Sequence, residues 1–273
     1  MANPVNTVIN TLLKPLGLRL VRTQTIGFLT AHQRATGNWE QILKELHHSF
    51  TTYTFPHVPY DERRNALLNN LMGTSKPEAF WILSGLYKSM GLVGDICEFG
   101  CAQGATTALM AHEIIKTDKH VWVYDSFEGL PQPTEKDKLI DDIFNLGSIE
   151  AYAGTMNVPI ESVKNNLKGV NFPPERTHLI KGFIEETIKT GPLPHQVCFA
   201  YVDFDFYEPI LVALNFLKDV LTVGGTIVVD DYGFFSAGAQ AAVDEFLAVH
   251  GDHFKMELPP EWAGRFAVLQ RVS

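Results

Sequence analysis

From Asp95 onward the chain alternates short β-branched, aromatic runs with helix-forming stretches, and four of the runs stop at an acid. Asp95 to Phe99 carries Glu98, Val121 to Tyr124 leads into Asp125, Val197 to Val202 into Asp203, and Gly225 to Val229 into Asp230-Asp231. A further run, Thr177 to Ile180, leads to Gly182-Phe183. Helical patterns occupy Ala105 to Ile115, Pro209 to Val220 and Ala237 to Val249. This alternation predicts an α/β fold with a mostly parallel sheet covered on both faces. The last two runs, Phe254 to Leu258 and Phe266 to Gln270, are separated by a loop with no helix, which predicts an antiparallel hairpin at the sheet edge. Ligands of open α/β sheets bind beyond the carboxyl ends of the strands. One acid at a strand tip is incidental, but several on one rim converge on a cleft.

The stretch Gly94 to Gly104 contains Glu98, Gly100 and Gly104 in the spacing Glu-x-Gly-x-x-x-Gly. A glycine turn between a strand and a helix start lets the backbone approach a ligand and offers free N–H groups to a carboxylate or phosphate. The phosphate-cradling Gly-x-Gly of a dehydrogenase is missing. The extra acid and looser turn suit S-adenosylmethionine better than a pyrophosphate. Asp125, 21 residues after Gly104, is placed to accept both ribose hydroxyls of an adenosyl group; a turn or helix-cap role is the competing reading. Gly182-Phe183 is read as a backbone N–H and an aromatic face for adenine, or as a plain turn.

Asp203 stands in Tyr-Val-Asp-Phe-Asp-Phe-Tyr-Glu-Pro, with Asp205 two residues on and Asp230-Asp231 ending the next strand. Clustered carboxylates repel one another, so burying them together calls for a cation. Oxygen-only ligation favours a hard ion, Mg²⁺ before Mn²⁺ or Ca²⁺. Such an ion activates an alcohol, and Asp203 is then the candidate base. The competing reading is a set of solvated acids capping helices.

The chain has 273 residues and a net charge of −9, which argues against nucleic acid as substrate. Cys97, Cys101 and Cys198 sit in apolar surroundings and read as reduced packing residues of a cytoplasmic protein. No apolar run reaches the roughly 20 residues of a bilayer span, and no secretory signal is apparent. Residues 1–75 are read as a helical arm or cover and 76–273 as the cofactor-binding domain. Within the arm, residues 1–22 carry apolar side chains at helical spacing, suited to packing on the domain, on a second subunit of a homodimer, or on a membrane surface. Asp61 to Met72 and Lys76 to Met90, capped by Ser75, are predicted helices. The polar segment from Gln132 to Asn157 is long enough for a lid over the pocket, the alternative being a surface insertion.

Tyr-Asp-Ser-Phe-Glu-Gly-Leu-Pro at 124–131, Val-Asp-Phe-Asp-Phe-Tyr-Glu-Pro at 202–209 and Gly-Gly-Thr-Ile-Val-Val-Asp-Asp-Tyr-Gly at 224–233 together resemble the macrocin O-methyltransferase family. The resemblance runs from about Lys76 to His250. It implies a class I methyltransferase, Rossmann-like sheet of seven strands, with magnesium-dependent methylation of sugar hydroxyls on natural products or glycans. By matching motif it implies Asp203 as metal ligand and base, Asp230 and Asp231 as the other ligands, and Glu98, Gly100, Asp125 and Ser126 as cofactor contacts. Cys-Ala-Gln at 101–103 departs from the Val-x-Arg expected there. The acceptor is then a small or glycosylated molecule. A catechol-type O-methyltransferase, for which Asn is expected where this chain has Asp231, and a non-catalytic cofactor-binding protein are the alternatives.

Overall fold

The computed structural model describes residues 41–273. The arm read at 1–22, and the helices expected before residue 41, lie outside the described residues. The chain divides into two units, Met1–Ser49 and Phe50–Ser273. In the first, residues 41–49 are helical. The sheet and the candidate site belong to the second.

The second unit opens with a π-helical turn, Phe50–Thr54, followed by α1 (Glu62–Asn69) and α2 (Lys76–Ser89). Ser75 caps α2 in a capping box with Glu78: each side chain takes up a backbone N–H of the other's turn. There follow β1 (Asp95–Phe99), α3 (Ala105–Glu113), β2 (Val121–Asp125), α4 (Ile160–Gly169), β3 (Thr177–Lys181), α5 (Ile184–Thr190), β4 (Val197–Val202), α6 (Tyr207–Val220), β5 (Leu221–Val229), α7 (Ala237–His250), β6 (Phe254–Glu257) and β7 (Ala267–Arg271). The strands form one sheet in the order β3-β2-β1-β4-β5-β7-β6. β1 to β5 pair in parallel, and β7 runs antiparallel to both β5 and β6. The expected α/β class and the antiparallel terminal hairpin are both present.

Strand alternation sorts the core into two layers. Cys97, Phe99, Val202 and Val229 pack with α5, α6 and α7. Ile96, Tyr201 and Val228 point the other way, toward α2, α3 and α4. Because residues alternate with period two, Glu98 must share a face with Ile96 and so meets α3. The chain order reverses between β1 and β4, so their carboxyl ends open a crevice at the switch point.

Two details differ from the periodicity. β5 starts at Leu221, ahead of the glycine pair, and its register against β4 slips between Leu221 and Thr226. Gly224 and Gly225 thus sit in a bulge within the strand, a place glycine tolerates. α4 and α5 were not expected. α4 buries Val163 and Leu167 on a regular apolar stripe but begins at Pro159 without a side-chain cap, so its start carries no capping signal.

Candidate active site

The glycine turn is built against β4. Gly100 has φ +81°, and a Cβ placed there would lie 1.9 Å from the Asp203 carbonyl oxygen. Only glycine allows β1 and β4 to end this close together. Gly104 caps α3 in the left-handed region without a side-chain hydrogen bond, and Ala105 and Thr106 of the first turn of α3 line the cavity. Glu98 is fully buried. Its Oε2 accepts a hydrogen bond from the Thr107 hydroxyl, while Oε1 is buried with no partner. Burial pushes its pKa up to about 8; the Thr107 hydrogen bond opposes the shift and the nearby Asp125 charge adds to it.

Asp125 ends β2 and is turned back on the glycine turn. Its Oδ2 accepts from the Cys101 and Ala102 amides at 2.8 and 3.1 Å, and its Oδ1 from the Phe127 amide at 2.7 Å. A carboxylate offers about four lone-pair sites, so Asp125 stiffens the loop and keeps acceptor capacity. Ser126 Oγ donates to the Gly129 carbonyl at 2.8 Å and accepts from the Glu128 amide at 3.0 Å. Gly182, whose amide donates to the Asp125 carbonyl at 3.0 Å, and Phe183 at the start of α5 reach the same cavity.

Asp203, Asp205 and Asp231 each offer an oxygen, and these oxygens lie within 4.8 Å of one another. Asp205 (φ +63°) and Asp231 (φ +57°) both occupy the left-handed region, a conformation that costs a non-glycine residue about 1 kcal/mol or more and concentrates at functional sites. Burial holds the carboxyls of Asp203, Asp205 and Asp231 well above the usual range, and their mutual charges and that of Asp230 push the same way. The site therefore stores repulsion that a hard cation relieves, and an all-oxygen donor set at this spacing fits one. Sequence reading grouped Asp230 with Asp203 and Asp231; the three oxygens within 4.8 Å of one another include that of Asp205, and Asp230 lines the same cavity.

Asp230 faces inward. The Tyr201 hydroxyl donates to its Oδ2 at 2.7 Å and lies 3.3 Å from Asp203 Oδ2 and 3.4 Å from Glu78 Oε1. Glu78 is buried, and desolvation, then the Asp230 charge, raises its pKa well above the ordinary value. Sequence reading missed Glu78 because Ser75-x-x-Glu78 is fully explained as a cap. It missed Tyr201 because a tyrosine inside an apolar strand reads as core.

Glu98, Gly100, Asp125, Asp203, Asp230 and Asp231 line one cavity of about 500 Å³, with Tyr201 and Glu78 behind its wall. Its outer wall comes from the 132–157 segment, which is tied down rather than free. Asp137 accepts from the Tyr207 amide at 2.8 Å and from the Thr134 amide at 2.7 Å, and Leu139 bridges to Ser236. Ile143, Phe144 and Met156 from this segment line the cavity. Among the described residues no helix is long and apolar enough to cross a membrane.

The architecture is that of known O-methyltransferases. The O-methyltransferase NovP superposes with a TM-score of 0.63 at 22% identity, covering 86% of this chain and all of NovP. The calicheamicin methyltransferase CalS11 gives 0.57 at 20% identity, over 84% and 91%. In sequence, the chain is 29% identical over 147 residues to the tetracenomycin rhamnosyl 4'-O-methyltransferase of Streptomyces olivaceus, covering 52% of this chain and 54% of that protein. It is 29% identical over 160 residues to the demethyldecarbamoylnovobiocin O-methyltransferase of Streptomyces niveus, over 57% and 58%. The aligned stretch thus spans little more than half the length of these two relatives. The family profile described as Macrocin-O-methyltransferase (TylF) matches residues 86–258, well over half of the chain, and the chain belongs to that family.

Proposed function

We propose that the protein transfers a methyl group from S-adenosylmethionine to a hydroxyl of a sugar or similar polyol on a small-molecule or glycosylated acceptor, aided by a divalent cation, Mg²⁺ first. One observation carries this reading: the glycine cradle and the three-carboxylate cluster open into the same cavity. The relatives support it, being O-methyltransferases of sugars and natural products by name.

The orphaned, buried Glu98 Oε1 suits the ammonium of the methionine portion, and the free N–H groups at the start of α3 suit its carboxylate. Asp125 and Ser126 would take the ribose, with Gly100 and Gly104 giving close backbone approach and Gly182-Phe183 lying against adenine. S-adenosylmethionine supplies an electrophilic methyl carbon. Asp203 and Asp231 would hold the cation, with a third oxygen from Asp205, which their distances favour, or from Asp230, as read from the motif. A bound divalent cation lowers the pKa of an acceptor hydroxyl and fixes its oxygen. Asp203 would take the hydroxyl proton while the acceptor oxygen gains the methyl group and the S–CH3 bond of the sulfonium breaks, leaving S-adenosylhomocysteine. In-line approach makes positioning a large part of the rate, which a rigid rim at the switch point supplies.

We assign the catalytic part to residues 76–273, with the cover role expected for 1–75 part of the same proposal. Three buried free cysteines support the cytoplasmic location expected from the sequence, and light scattering tests the expected homodimer. The deciding experiment incubates the full chain with S-adenosylmethionine, Mg²⁺ and a panel of glycosides and catechols, following S-adenosylhomocysteine. Turnover on glycosides that stops with EDTA and in Asp203→Asn supports the reading. Full activity of Asp203→Asn, or a rate indifferent to EDTA, overturns the mechanism.

A further inference from the structure

The end of the sheet away from the acid rim carries a cluster of its own. The parallel register sets Trp122 of β2 opposite His178 of β3, and His120, two residues before Trp122, shares its face by the period of two. The two imidazoles meet head to head. His120 Nδ1 and His178 Nε2 are 2.8 Å apart, the ring planes differ by 12°, and the ring centroids lie 5.1 Å apart. The facing nitrogens thus share one hydrogen. Trp122 stacks on His178 at 3.8 Å, with 14° between the planes. Asp95, at the start of β1, holds both neighbours: its Oδ1 accepts from the His120 amide and its Oδ2 from the Trp122 indole N–H, each at 2.9 Å. Both histidines are only partly buried, so water reaches the pair. At roughly 3.3 Å per strand residue His120 lies about 16 Å from Asp125, and neither histidine lines the cavity.

We propose that His120 and His178 form a binding site for a transition-metal ion, Cu²⁺ ahead of Ni²⁺ and Zn²⁺, separate from the oxygen cluster of the acid rim. Imidazole nitrogen suits these ions, and for a given nitrogen site their affinity order puts Cu²⁺ first. Two nitrogens held at roughly 2.0–2.1 Å from one ion stand roughly 2.9–3.3 Å apart for bond angles between square and tetrahedral. The present separation is 2.8 Å, so the rings need to part by at most about half an ångström. A face-on stack resists tilting but lets His178 pivot in its own plane over Trp122. The shared hydrogen moves to the outer nitrogen of its own ring, so both ligands stay neutral and no proton leaves. Water completes the coordination. The Asp95 contacts fix the His120 backbone and, through Trp122, the plane of His178, as groups behind metal ligands do. Because β3 is the outermost strand of the sheet, the bound ion clips that edge to β2.

Calorimetry and electron paramagnetic resonance of the full chain with Cu²⁺, in excess Mg²⁺ to occupy the acid cluster, test this. The spectrum of the first equivalent bound should show splitting from two imidazole nitrogens. His120→Gln and His178→Gln should each weaken that binding at least about tenfold. Trp122→Phe should still bind the ion while losing most of the Cu²⁺-induced quenching of tryptophan fluorescence, because Trp122 lies against one ligand. Denaturation midpoints with and without Cu²⁺ separate a lost ligand from a damaged fold: the ion should raise the wild-type midpoint and leave those of the two histidine variants unmoved. Absence of Cu²⁺ binding, unchanged affinity in both histidine variants, a spectrum of oxygen ligands alone, or undiminished quenching in Trp122→Phe overturns the proposal.

Discussion

The Tyr201 hydroxyl lies 2.7 Å from Asp230 Oδ2, joining a side chain of the buried β4 core to the acidic rim. One oxygen of Asp230 is thereby committed to a phenol, with Glu78 behind it. Tyr201→Phe should release Asp230 and weaken divalent-cation binding about tenfold, with about 1 kcal/mol lost in stability. Mn²⁺ titration calorimetry and thermal denaturation read the two effects. An unchanged cation affinity would reduce Tyr201 to a packing residue.

The ligand set itself is separable by substitution. Asp203→Asn and Asp231→Asn should each lower Mn²⁺ affinity about a hundredfold, and Asp205→Asn should cost more than Asp230→Asn because Asp205 completes the trio within 4.8 Å. The reverse order would assign the third oxygen to Asp230.

Glu98 sets a pH dependence. Its pKa in the folded chain is about 8 against an ordinary 4.5, so between these values the folded state holds a proton that the unfolded state has released. The associated stability is present below about pH 4.5 and is lost as pH rises toward 8, amounting to at most about 5 kcal/mol for the free protein. Glu98→Gln should flatten denaturation midpoints across this window and weaken S-adenosylmethionine binding. A slope identical to wild type would remove Glu98 as its source.

Gly100→Ala forces both a left-handed alanine and a clash with the Asp203 carbonyl at 1.9 Å. Stability should fall by at least about 3 kcal/mol, and cofactor binding with it. Gly147→Ala provides the contrast: its φ is +84° but nothing lies within 4 Å, so only about 1 kcal/mol of backbone strain is expected. Equal losses in the two variants would mean that close approach of β1 and β4 is not what Gly100 permits.

Local chemistry alone determined much of this protein. Alternating β-branched runs and helix patterns dictate a parallel sheet, because period two and period 3.6 cannot be exchanged without exposing the core. The acids after Tyr124, Val202 and Val229 follow from the strand ends, and Gly100 and Gly104 mark the turn that the cofactor reading needs. What the tertiary structure alone decided are contacts between residues far apart in the chain. Glu78 and Tyr201 are separated by 123 positions and meet only because α2 packs over β4; in sequence one is a cap and the other is core. Asp205 joins Asp203 and Asp231 through a left-handed backbone that no periodicity signals. The apolar rim at Ile143 and Phe144 owes its position to Asp137 and Leu139, which pin an otherwise polar segment to the starts of α6 and α7. Short-range propensity specifies elements, but the relative placement of side chains across a cavity depends on how those elements pack.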